Sequence, residues 1–251
     1  TGLLPAWLGF TATTRQNDLD TSVTISFQPG MGGNSALRGG GNTENRQAFL
    51  TFGDKSWGSV KVGKDLGIFG STAILNDMTL LGVGSNGLTQ HNGGASGTTT
   101  TLGGIGTGYI YADWKGQIAY TTPNMNGFQL TAGITQPWNS IALSDNSATS
   151  SGTTDEFGFQ GQASFSWTGD FAGKVWAGFF SQEVTNINST VAAGQISDGQ
   201  SDRANAFEAG VSTSIYNINL VAYAYSGEGV GTTALLQQGF DANGDKRDSD
   251  G

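Results

Sequence analysis

Apolar and polar side chains alternate with a period of two along much of the chain, most plainly between Glu156 and Thr168. Phe157, Phe159, Ala163, Phe165 and Trp167 fall on one side there, and Gln160, Gln162, Ser164, Ser166 and Thr168 on the other. Successive side chains of a strand point to opposite faces, so this pattern predicts a strand with one apolar and one polar side. The segment from Phe128 to Thr135 repeats it, with Phe128, Leu130, Ala132 and Ile134 opposite Gln129, Thr131 and Thr135. So does the segment from Phe207 to Ile215, where Phe207, Ala209, Val211 and Ile215 oppose Glu208, Ser212 and Ser214. The same rule applied to the whole chain predicts ten strands, at about 7–15, 21–28, 46–53, 59–65, 113–122, 128–136, 156–167, 171–184, 203–215 and 218–226. The connections left between them are 16–20, 29–45, 54–58, 66–112, 123–127, 137–155, 168–170, 185–202 and 216–217. Short and long ones alternate without exception.

That rhythm discriminates between all-β architectures. A soluble sandwich has water at both ends and no reason to keep every second connection short. A barrel crossing an outer membrane has one, because its periplasmic turns are short and its extracellular loops long. The strand lengths also suit tilted spans of roughly 9–11 residues. Trp167 and Phe171 flank the turn Thr168-Gly169-Asp170, and Trp57 sits in the turn from Asp54 to Gly58, as aromatic residues at a membrane interface would. At the end of a soluble sandwich the same rings would simply pack as core.

Composition points the same way. Charged residues make up 12% of the 251, well below the roughly 25% of soluble domains. Each of the 41 glycines would cost about 1 kcal/mol against alanine inside a helix, so the chain favours strands and turns. No stretch approaches the ~20 consecutive apolar residues of a spanning helix, so any membrane crossing is made by strands. The net charge of −9, with eleven dispersed basic residues, argues against a nucleic-acid partner. The absence of cysteine says little about compartment, since oxidising compartments permit disulfides without requiring them. Thr1-Gly2-Leu3-Leu4-Pro5 carries no positive segment followed by an apolar run, the pattern of a secretory leader.

Two motifs resemble the Gram-negative general porins. Arg46-Gln47-Ala48-Phe49-Leu50-Thr51-Phe52-Gly53 followed by Trp57-Gly58-Ser59-Val60-Lys61-Val62-Gly63-Lys64-Asp65 is similar to that family's Arg-x-Ala-aromatic…Gly-x-Phe/Trp-Gly-x-hydrophobic-x-hydrophobic-Gly-Arg signature. Ile118-Ala119-Tyr120-Thr121-Thr122-Pro123 with Gly127-Phe128 is similar to its Tyr-x-Ser-Pro-x-x-x-Gly-Phe pattern. The resemblance implies an all-β transmembrane antiparallel barrel, a single domain over 1–251, of sixteen strands in the full protein with about ten in this chain. It also implies a homotrimer in the bacterial outer membrane, in contact with membrane lipid and lipopolysaccharide, passing small hydrophilic solutes through a wet lumen. Sixteen strands leave such a channel, and polar inward residues such as Gln129, Gln160, Gln162 and Ser164 would keep it hydrated.

The resemblance further implies that the long insertion, 66–112, folds into the barrel as a constriction, where selectivity is set by charges at close quarters. Its apolar run Met78-Thr79-Leu80-Leu81 suits a loop packed on a barrel wall. Asp77 is the acidic candidate, and the basic candidates opposite it are Lys64, Lys115, Arg46 and Arg15. The family more often carries arginine at the positions of Lys64 and Lys115; lysine holds a less fixed position than the planar arginine fork, which argues against strong anion selectivity. Lys64 poses a problem of direction. In a regular strand it shares the lipid face with Val60 and Val62, where it would snorkel, and a bulge at Gly63 would re-aim it into the lumen. For Asp77 the plain alternative is a turn or capping residue.

Other motifs carry less. Asp241 to Asp250 has oxygen ligands spaced like a calcium loop but places Lys246 at the sixth position and offers no Glu at the twelfth, so a solvated loop is expected. Gly103-Gly104-Ile105-Gly106-Thr107-Gly108 lacks the following lysine and helix of a phosphate cradle. His91 is the sole histidine, with no serine and carboxylate placed near it, and with no cysteine the chain offers no paired-ligand spacing. The expectation is a channel with no enzymatic activity, no cofactor and no metal. A substrate-specific channel on the same barrel would show inward aromatic residues, and the inward faces read here are mostly Gln, Ser and Thr. A soluble extracellular adhesin remains the non-membrane alternative; a solenoid would show a short repeat, which is absent.

Overall fold

The computed structural model describes residues 7–29, 43–77, 108–138, 156–187, 200–216, 218–231, 236, 238–241 and 244–251. The strands are β1 (Leu8–Gln16), β2 (Leu19–Pro29), β3 (Thr43–Glu44), β4 (Ala48–Asp54), β5 (Gly58–Leu66), β6 (Trp114–Thr121), β7 (Phe128–Thr135), β8 (Gly158–Trp167), β9 (Gly173–Ile187), β10 (Gln200–Ile215), β11 (Ile218–Glu228) and β12 (Asp248–Asp250). Each of the ten predicted strands is present. The two short additions are β3, which pairs with the end of β2, and β12, which pairs with β11. β12 lies within the segment expected to be a solvated loop: antiparallel pairing of Asp248 with Glu228 and Asp250 with Ser226 draws it into the sheet.

The strands form one antiparallel sheet in the order β1-β2-β4-β5-β6-β7-β8-β9-β10-β11-β12, each beside its neighbour in sequence, with β1 and β12 as its two edges. The connections 17–18, 55–57, 122–127, 168–172 and 216–217 lie at one end and the long ones at the other. Asn17 and Asp18 make a two-residue turn, both at positive φ (49° and 61°), the conformation such a hairpin favours.

Side chains alternate between two faces that differ in chemistry. The outer face is apolar and exposed, with Phe10, Val23, Ile25, Leu50, Val62, Ile118, Leu130, Phe159, Phe165, Phe179, Phe207 and Leu220. Such a face is stable only against an apolar surrounding, since that much contiguous exposed apolar surface far exceeds what a soluble monomer carries. The inner face can be followed along one register row: Thr13, Ser22, Thr51, Lys61, Ala119, Gly133, Gln160, Phe180, Ala206, Gly227, Ser249. Along it the hydroxyls and the charge of β1–β5 give way to small residues on β6 and β7, and Phe180 on β9 is its one large apolar side chain. The core lies on this inner face at the β9–β11 side, where Phe69, Ile110, Trp138, Phe180, Val184, Ala204, Val230, Leu236 and Phe240 cluster.

Curvature follows from one hydrogen bond. Across a flat sheet β5 and β10 would stand five strand spacings apart, roughly 24 Å, and Glu208 also lies on the register row of Ser59, seven residues along β5 from Leu66. The four residues from Leu66 to Gly70 reach at most about 14 Å, to which a glutamate side chain and a hydrogen bond add about 8 Å. The Gly70 N–H nevertheless donates to Glu208 Oε2 of β10 at 3.1 Å. The sheet is therefore bent into a trough, with the connection after β5 lying inside it.

Candidate functional site

The segment that leaves β5 docks across the trough through backbone donors. The Ile68 and Phe69 N–H groups both donate to Gln160 Oε1 on β8, at 2.8 and 3.1 Å. Gly70 donates to Glu208 as above, and Thr72 Oγ1 donates to Gln162 Oε1 at 2.7 Å. Glu208 is also held by the Tyr223 hydroxyl (2.8 Å) and by Gln162 Nε2 (3.2 Å), so its buried carboxylate joins the segment, β8 and β11. Gly70 sits at φ 76°, and a Cβ there would stand 2.4 Å from the Ile110 carbonyl oxygen, so only glycine fits this crossing. One turn of helix, α1 (Ser71–Leu75), follows. Phe69 packs 5.8 Å from Phe180, which buries the apolar start of the segment on the wall. Leu75 points away from that wall and is 71% exposed.

The expected infolded loop is thus seen for 67–77 and 108–113. Met78 to Leu81, Gly103 to Thr107 and His91 lie outside the described residues. Gly67 donates to the Asp113 carbonyl at 2.8 Å, closing the base of the loop, and the Trp114 N–H donates to the Asp113 carboxylate at 2.7 Å. Burial pushes the Asp113 carboxyl up from its ordinary value, while Lys115 and that N–H pull it back down.

The five candidate charged residues fall in different places. Asp77 follows α1 on the infolded segment and accepts a 2.6 Å hydrogen bond from the Tyr109 hydroxyl. Arg46 lies just before β4, its guanidinium carbon 5.9 Å from the centre of the Trp114 ring. Arg15 faces inward at the short-turn end, paired with Asp20 at 2.5 Å and Asp54 at 3.0 Å. Lys64 pairs in register with Ala48 and Gly116, on the alternation face of Val62 and Ile118. Gly63 takes φ 127°, but the register runs through it without a shift. Lys115 points inward and is only 2% exposed, with its Nζ 3.9 Å from the Trp138 ring centre.

Several inner residues escaped the sequence reading. Lys61, two residues before Gly63, faces inward on β5, ion-paired with Asp65 and 5.0 Å from the Phe49 ring. Its alternation partner Ser59 and the polar Thr51 opposite were the available signal. Glu208 was placed on the polar face of its strand but not recognised as an anchor. The inward faces of β9 and β11 carry Trp176, Phe180, Tyr223 and Tyr225, which corrects the expectation of Gln, Ser and Thr there. A second connection also bends inward. The Trp138 backbone exchanges two hydrogen bonds with the Gln182 amide, both 2.8 Å, and its indole stacks on Phe180 at 4.6 Å.

On the other side of the trough the inner face is uncovered. A recess of about 840 Å³ opens at the short-turn end, lined by residues that include Thr13, Arg15, Ser22, Thr51, Asp54, Ser59 and Gln129. Charged and hydroxyl-bearing side chains therefore meet solvent at the short-turn end of β1–β5 and beside the β6–β7 turn, while the infolded segment occupies β8–β11 and the buried ends of β6 and β7. Among the described residues no cluster of three His, Asp or Glu side chains could hold a metal ion.

A family model described as Gram-negative porin matches residues 5–250. Comparison with solved structures finds the outer membrane channel DcaP of Acinetobacter baumannii at 14% identity and a TM-score of 0.55, covering 89% of this chain and 51% of that one. It also finds a loop-deletion mutant of OmpT, an outer membrane protein of Vibrio cholerae, at 15% identity and a TM-score of 0.50, covering 88% and 60%. At these identities the likeness is one of fold, and the chain spans about half to three-fifths of the length of those structures. The search of curated proteins gave no match.

Proposed function

This chain belongs to the Gram-negative porin family of the bacterial outer membrane, and from that premise we propose that it forms a water-filled channel for passive diffusion of small hydrophilic solutes and ions. The observation that supports this best is the segment 67–77 crossing the trough and hydrogen-bonding to β8 and β10. It narrows the interior without filling it, because the short-turn end of the β1–β5 wall stays open. Solutes pass between that wall and the exposed side of the segment. Asp77 supplies the acidic side of the passage; Lys61, Arg46 and Arg15 supply the basic side, and Lys64 and Lys115 act on it from more distant or buried positions. The channel carries out no chemistry, and the proposed assembly is a homotrimer whose outer faces meet lipid and lipopolysaccharide.

A substrate-specific channel is the second reading, favoured by the inward aromatics of β9 and β11. Trp176 and Tyr225 are buried, however, each with its ring beside Tyr223, so they present no stacking surface to solutes. General diffusion is the better account. Conductance of the full-length protein in a planar bilayer tests it. Stepwise openings in groups of three are expected; a protein that stays silent and soluble without detergent overturns the proposal.

A further inference from the structure

Buried donors without acceptors gather at one corner of the inner wall. Lys115 Nζ has no hydrogen-bond partner among the described residues, and neither do Gln160 Nε2 and Thr135 Oγ1. All three residues are at least nine-tenths buried. They lie on adjacent strands β6, β7 and β8 of the same inner face, and on successive register rows. Thr135 is opposite Gln117 and Gly158, and Gln160 is on the next row, opposite Gly133 and Phe180. Lys115 reaches toward the same spot, with Nζ 5.7 Å from the Phe180 ring centre. Glycine at 133 and 158 keeps the floor between them free of side chains. Two of the groups are also held elsewhere in a way that fixes them. Gln160 Oε1 is taken by two backbone N–H groups, which aims its amide nitrogen away from them. The lysine stem packs against Gly67, and one face of its ammonium lies on the Trp138 indole.

Leaving such groups unpaired in a buried site is costly, most of all for an ammonium. A water molecule would accept from two of them but would then need acceptors for its own two protons. The unpartnered buried atoms here are donors or a hydroxyl that can donate. Asp113, the nearest carboxylate in sequence, already accepts the Trp114 N–H and is weakened as a counter-ion by its burial. A group that only accepts, and carries negative charge, satisfies all three.

We propose that Lys115, Gln160 and Thr135 form a buried site for a small monoatomic anion of the halide class, held behind the base of the infolded segment. The anion neutralises Lys115 in place, so this lysine stiffens the constriction without contributing strongly to the field along the passage. It also ties β6 to β8 at the point where Ile68 and Phe69 dock.

The test uses bromide in place of chloride during crystallisation of the full-length protein in detergent. An anomalous peak within hydrogen-bond reach of Lys115 Nζ is expected. Ordinary density without anomalous signal, meaning water, or no density at all overturns the site. In solution the melting temperature is expected to be higher in chloride than in gluconate at equal ionic strength, in a saturable manner. Thr135→Val is expected to shrink that difference and Lys115→Met to abolish it. An equal chloride effect in wild type and both variants overturns the assignment, as does none in the wild type. Because the crystallographic readout needs only the wild-type chain, failure of a variant to fold leaves the proposal open to refutation.

Discussion

The inner surfaces of β1–β5 and β8–β11 are built on the same antiparallel ladder beneath the same apolar outer face, yet one is bare and the other covered. On β1–β5 the inward residues include Thr11, Thr13, Ser22, Thr24, Thr51 and Ser59, one large ring, Phe49, and Lys61 and Arg15, each paired to carboxylates. On β8–β11 they are Gln160, Gln162, Trp176, Phe180, Glu208, Tyr223 and Tyr225. Short hydroxyls are content in water and leave space. Large rings are not, and here, together with two long amides and a carboxylate that accept hydrogen bonds, they receive the infolded segment, whose backbone N–H groups need acceptors. A single sheet thus holds a wall for solutes and a wall for its own loop, and the difference lies in inner-face side chains alone.

The largest effect should come from breaking the covered wall. Phe69→Ala removes the ring that buries the segment on Phe180, and a fully buried phenylalanine is worth about 3–5 kcal/mol on truncation. A lower melting temperature in detergent and a larger, noisier single-channel conductance are expected; an unchanged conductance would show that the segment is held without it. The next effect is at Glu208. Glu208→Ala strips an acceptor from Gly70, Tyr223 and Gln162 at once, a loss on the order of 1–3 kcal/mol. Fluctuating conductance is expected with the barrel still folded. Glu208→Gln keeps an acceptor and should be milder.

The bare wall was far more legible in the sequence than the covered one. Period-two alternation located every strand of β1–β2 and β4–β11, and the length rhythm separated long connections from short ones; that 66–112 is an infolding one came from the resemblance to the general porins. Both signals are local, and the constraint that creates them, lipid outside and water inside, acts on each strand separately. The covered wall depends on which distant segments meet. Trp176 and Phe180 share a face with Lys174 and Gln182, so the alternation of β9 alone does not say which face is inner. That Glu208 is an anchor follows only from Gly70, 138 residues away. Lys115 reads as a pore residue by position, and its burial depends on Trp138, which comes from another connection. Lys64 and Lys61 show the limit of local reasoning: the register passes Gly63 without a shift, so Lys61 is the one facing inward.

Charge substitutions at the passage are expected to change ion preference, a smaller effect than the losses of stability above. Asp77→Asn removes the acidic group of the infolded segment while keeping an acceptor for Tyr109. A shift of the reversal potential toward anions is expected in a salt gradient. Tyr109→Phe, which leaves the charge in place, should shift it less. No change in Asp77→Asn would remove that residue from the constriction.

The smallest effect is expected at Arg15, although it is the most extensively paired cation of the bare wall. Its guanidinium meets Asp20 and Asp54 within 3.0 Å, so to a passing ion the cluster presents excess negative charge already, and Arg15→Gln adds one unit to it. The cluster lies at the short-turn end, away from the infolded segment, where the recess is wide and hydrated. Water and salt screen it accordingly, with a Debye length of about 10 Å at 0.1 M and about 3 Å at 1 M. Arg15→Gln should therefore move selectivity slightly toward cations at 0.1 M salt and not measurably at 1 M. A shift that survives 1 M salt and matches that of Asp77→Asn would place the narrow point at the short-turn end, and the bare wall would then be the selective one.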